Sequence, residues 1–77
     1  MGRFYFSIKT SKLIRALKKL GFTIEHGSKH DLAYLKNGPK TTIPRSNTLK
    51  KGTSESICEF VVKEAGISED KLLGLLR

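Results

Sequence analysis

The sequence predicts an α+β fold, a three-stranded antiparallel sheet packed on two helices and followed by a short helical tail. Three observations lead there. Apolar residues recur at helical spacing on either side of the middle third, as Leu13, Ile14, Leu17 and Leu20, then as Ile57, Phe60, Val61 and Ala65. Between those stretches, short runs alternate apolar and polar residues, which is the period of a half-buried strand. Gly21, Gly27, Asn37-Gly38 and Pro44 punctuate the runs where turns would fall. A small sheet with one apolar face needs a cover, and two amphipathic helices supply it.

Taken in order, residues 1–9 read as an arm or an extra strand, since Phe4, Phe6 and Ile8 alternate with Tyr5 and Ser7. Thr10 or Ser11 is placed to cap the first helix with a side-chain oxygen. That helix carries Lys12, Arg15, Lys18 and Lys19 opposite its apolar stripe and stops at Gly21. Residues 22–26, 30–36 and 40–43 read as the strands. Asn37-Gly38 makes the second hairpin turn, because both residues tolerate positive φ. Residues 45–51 form a polar, basic connection. The second helix starts near Gly52, buries Ile57, Phe60, Val61 and Ala65 with Cys58 and Val62 flanking, and closes at Gly66. Ser68 caps a last short helix with Glu69 and Asp70 in its first turn and four leucines as anchors. The whole chain, 1–77, reads as one domain, with 67–77 as the tail.

The 77 residues carry a net charge of +8, unevenly placed. Residues 1–51 hold twelve Lys or Arg against two acids, whereas residues 52–77 hold three against five. Clustered cations on one part of a small domain are the footprint of a phosphate-binding surface, although an acidic protein would feel the same field. No apolar run approaches the roughly 20 residues that span a bilayer. The opening residues suit neither a signal peptide nor a myristoylation site. A single cysteine, Cys58, allows no intrachain disulfide, and the expected compartment is the cytoplasm. Cys58 lies among Ile57, Val61 and Val62 and reads as a buried thiol.

Several short motifs recur here in a particular order. They are Leu20-Gly21-Phe22 ending a lysine-rich helix, the turn Gly27-Ser28-Lys29-His30, and Ile43-Pro44 closing the third strand. Leu49-Lys50-Lys51-Gly52-Thr53 and Glu64-Ala65-Gly66-Ile67-Ser68 follow, bounding the second helix, then the leucine-rich tail. With these the chain resembles the HicA toxins (the YcfA family), small ribonucleases with a fold like the double-stranded RNA-binding domain. The resemblance runs from about Lys9 to Leu76. It implies an endoribonuclease that cuts messenger RNA without a metal or cofactor and is held inactive by a HicB-type antitoxin. It places the catalytic role on His30. Many members carry a second histidine just before that one, where this chain has Lys29.

Metal-free RNA cleavage uses the 2′-OH as nucleophile. It requires a proton taken there, charge stabilised at the phosphate, and a proton given to the leaving 5′-oxygen. An imidazole can do either transfer, worth about 10²–10⁴ in rate. His30 is therefore expected as general acid or base, with Lys29 and Arg45 near the phosphate. Gly27 and Ser28 would admit the substrate backbone and offer N–H donors. Arg15, Lys18 and Lys19 are expected to hold RNA phosphates. His26, on the face of Phe22 and Ile24, reads as a strand-end residue partly packed on the core and as a candidate second proton-transfer group. A metal site from His26, His30 and Asp31 lacks a fourth ligand. Two other readings stand beside the nuclease: a non-catalytic RNA-binding module of the same fold, and a basic interaction domain docking an acidic partner.

Overall fold

The computed structural model describes residues 3–76. Short strand β1 (Ile8–Lys9) leads into helix α1 (Thr10–Lys19), then strands β2 (Thr23–His26), β3 (His30–Tyr34) and β4 (Lys40–Pro44). Strand β5 (Thr48–Leu49), helix α2 (Lys51–Ala65) and helix α3 (Glu69–Leu76) complete the chain. β2, β3 and β4 form an antiparallel sheet in that order, so β2 and β4 are its edges. This is the expected α-β-β-β-α arrangement with its helical tail.

The α1 stripe behaves as its spacing requires. Leu13 and Leu17 are buried together with Ala16, Ile14 and Leu20 are half-buried, and all four cations are exposed. The helix ends in a Schellman turn. Gly21, at φ 93°, donates its N–H to Lys18 O, and Phe22 donates to Leu17 O at 2.9 Å. At the other end the expected side-chain cap is missing, because Lys9 occupies the cap position. The Thr10 hydroxyl instead donates to Ser46 O and ties the start of α1 to the segment after β4. Ser68 does cap α3, accepting the Lys71 N–H at 3.1 Å.

The outer segments add a second, two-stranded sheet and a docked arm. β1 pairs antiparallel with β5 (Ile8 with Leu49, Lys9 with Thr48), so the basic connection contains a strand. The arm before β1 is part of the core: Phe4 is completely buried, while Phe6, expected on the same face, is exposed. A tight turn in which Phe6 N–H donates to Phe4 O breaks the strand alternation between them. Arg3 pairs with Asp70 and Glu69 in the first turn of α3.

In α2 the buried face is Ser54, Ile57, Cys58 and Val61, and Phe60 and Ala65 are only half-buried. The face is thus rotated toward Cys58, whose thiol burial pushes up to about 12. The second hairpin also differs from expectation. Gly38 N–H donates to Leu35 O at 3.0 Å, but neither Asn37 nor Gly38 takes positive φ. Lys36 does, at 56°. A β-carbon in that region is costly, so Lys36→Gly is expected to stabilise the fold by about 1 kcal/mol. A higher urea midpoint at unchanged slope would show it.

Candidate active site

The first hairpin is closed by Gly27, whose N–H donates to His30 O at 3.1 Å. Ser28 and Lys29 form the loop between them, and all four residues are exposed. The backbones approach so closely that a β-carbon on residue 27 would stand 2.5 Å from the His30 carbonyl oxygen. Glycine is required at that position for this spacing rather than for an unusual φ.

Side chains along a strand alternate between faces. On β3, Asp31 and Ala33 turn toward the helices and are buried, so His30, Leu32 and Tyr34 occupy the open face. His30, at the first position of β3, is exposed and sits opposite Pro44 of β4. Farther along the same face, Lys40 pairs with Glu25 at 3.2 Å and lies 5.1 Å from the centre of the Tyr34 ring. The Tyr34 hydroxyl donates to Glu25 at 3.1 Å. Those two donors, Lys40 first, hold the Glu25 carboxyl below its usual range. Tyr34 is thereby bound into a contact that crosses all three strands.

The other face of the hairpin end carries a second group. His26 and Asp31 are register partners, and His26 Nδ1 lies 3.3 Å from Asp31 Oδ1. Arg45 Nε donates to the same oxygen at 3.0 Å, and a terminal nitrogen of Arg45 donates to Gly27 O. The Arg45 guanidinium, partly offset by burial and helped by His26, holds the Asp31 carboxyl below its usual range. An ionised carboxylate only accepts, so the proton of a neutral His26 sits on Nδ1 and leaves Nε2 as the acceptor.

Of the residues expected at the site, Gly27, Ser28, Lys29 and His30 come together on the turn. Arg45 reaches the same turn, but from the face opposite the His30 ring, and its fork is engaged by Asp31 and Gly27. His26 shares that face. The expectation that it packs on the core is corrected: its side chain is 71% exposed, because β2 ends there and its ring turns to the Asp31 carboxylate. Asp31, unsuited as a metal ligand, instead binds Arg45 and His26. Its placement was legible in principle, since an acid after His30 on the same strand must face His26 across a two-residue loop. Arg15, Lys18 and Lys19 lie away from the turn in sequence, along an exposed face of α1 that has no acidic residue. With Ser11 and Ile14 they line a shallow groove. No helix among the described residues is long and apolar enough to cross a membrane.

Comparison with curated proteins gives no match, and comparison with solved structures gives none. A family model described as the HicA toxin of bacterial toxin–antitoxin systems matches residues 10–67. The matched stretch begins with α1, takes in the whole sheet with the His30 turn, and ends just past α2. Covering most of the chain as it does, the match shows that this protein belongs to the HicA toxin family.

Proposed function

We propose that the protein is an endoribonuclease toxin that cuts messenger RNA in the cytoplasm without a metal and is restrained by a HicB-type antitoxin. The observation that carries this reading is the exposed His30 imidazole at the end of a tightly closed hairpin, within the stretch that the family model matches. His30 takes the proton from the 2′-OH or gives one to the leaving oxygen. Lys29, one residue away, offers an ammonium to the phosphate, and the Ser28 and Lys29 backbone N–H groups are further donors for its oxygens. Gly27 keeps the turn narrow enough for the substrate backbone to approach. His26, with its Nδ1 proton directed at Asp31, is the second imidazole available for proton transfer at this end of the sheet.

Incubation of the purified protein with RNA in EDTA tests the reading. Cleavage by the wild type and none by His30→Ala, with both binding RNA, supports it. Equal binding with no cleavage by either leaves a non-catalytic RNA-binding module, and salt-sensitive affinity for an acidic protein but not for RNA leaves an interaction domain.

The α1 cations supply RNA affinity in this scheme. Phosphate contacts release counterions, and each one steepens the salt dependence of single-strand binding by about 0.7 in log–log slope. Lys18→Gln with Lys19→Gln is therefore expected to weaken binding to all sequences alike and to flatten that slope by about 1.4. Titrations at several salt concentrations would show it. A loss confined to particular sequences would remove α1 from backbone contact.

A further inference from the structure

We propose that Asp31 and Arg45 are positioning residues for His30, acting as a brace on the turn that carries it. This rests on reading His30 as the catalytic group.

A catalytic side chain has to be held to within about 0.5 Å of its working position. His30 follows a two-residue exposed loop, and exposed loop tips are ordinarily among the less stable parts of a fold. The ties that hold this one converge on Gly27. Its N–H donates to His30 O at 3.1 Å, and its carbonyl accepts from Arg45. Arg45 can span that position because its guanidinium is a planar fork: Nε donates to Asp31 Oδ1 at 3.0 Å while a terminal nitrogen reaches Gly27. Asp31 is itself fixed, with its side chain 9% exposed and its backbone between His26 and Ile43 in the sheet. The brace thus joins the middle strand, the end of β4 and the turn. It also accounts for an acid beside a site meant for a polyanion. A carboxylate repels a phosphodiester, but here its charge is spent on Arg45 and His26 on the face opposite the His30 ring.

Two assignments for Arg45 make different predictions. A phosphate contact needs positive charge, which lysine retains. A brace needs one side chain that reaches two acceptors at once, which a lysine ammonium cannot do in the same geometry. The test measures steady-state cleavage of an RNA oligonucleotide by wild type, Arg45→Lys, Arg45→Ala and Asp31→Asn, well below their melting temperatures. All three variants are expected to lose about 10- to 100-fold in kcat, the scale of a displaced catalytic group. KM and the salt slope of RNA binding should stay unchanged. Asp31→Asn combined with Arg45→Ala should be no worse than the poorer single variant, as expected for two parts of one device. Hydrogen exchange at the Gly27 amide should speed up in Arg45→Lys, read by NMR on the folded protein. Wild-type kcat in Arg45→Lys would overturn the brace, as would a loss confined to KM with a flatter salt slope, or an unchanged Gly27 exchange rate. A wild type that cuts no RNA would instead sink the nuclease reading, and the exchange rate would still decide whether the brace exists.

Discussion

Replacement of His30 by alanine is expected to lower RNA cleavage by about 10²–10⁴-fold, the contribution of one well-placed acid or base. The fold should not notice. The ring is exposed, and its side chain makes no hydrogen bond among the described residues, so stability should stay within about 0.5 kcal/mol of wild type. RNA affinity should also persist, since the cations on α1 and Lys29 are untouched. Rate measurements in EDTA, a urea melt and a binding titration on the same preparation separate the three quantities. A variant that still cuts at the wild-type rate would remove His30 from the chemistry, whatever the family.

The largest effect on stability is expected from Phe4→Ala. Phe4 is completely buried against the core, and deleting a buried phenyl ring costs about 3–5 kcal/mol. Small domains have roughly 5–15 kcal/mol in total, so this one change would consume a large part of the margin. Phe6→Ala, two residues along, serves as the contrast, because Phe6 is 38% exposed and sits beyond the tight turn. Its loss should cost well under 1 kcal/mol. Equal urea midpoints for the two variants would mean that the arm does not dock as described.

These cases show where the sequence could be read and where it could not. Periodicity placed α1, α2, α3 and the three-stranded sheet, because each is a local pattern repeated over several residues. It also separated the exposed cations of α1 from Leu13 and Leu17. It failed where a position is decided by partners distant in the chain. β5 is two residues long and pairs with β1 about forty residues away, so it carries no pattern of its own. Phe4, Phe6 and Ile8 alternate with Tyr5 and Ser7, yet one backbone turn puts Phe6 on the outside. The candidate site divides in the same way. The turn from Gly27 to His30 was visible as a motif, and its histidine falls at an exposed strand start. That Arg45 would be drawn to Asp31 rather than left free was not visible, because it depends on where β4 ends relative to β3.

Among the described residues the three-stranded sheet ends in two unpaired rims, β2 and β4, and bare rims invite neighbouring molecules to add strands of their own. Here Pro39 stands just before β4 and Pro44 closes it, and neither has an N–H to lend. Lys40 and Glu25 place charge along the two borders. Each copy also carries the same +8, so crowded molecules push one another away. The cationic character that suits this protein to a polyanion thus also guards it against sticking to itself.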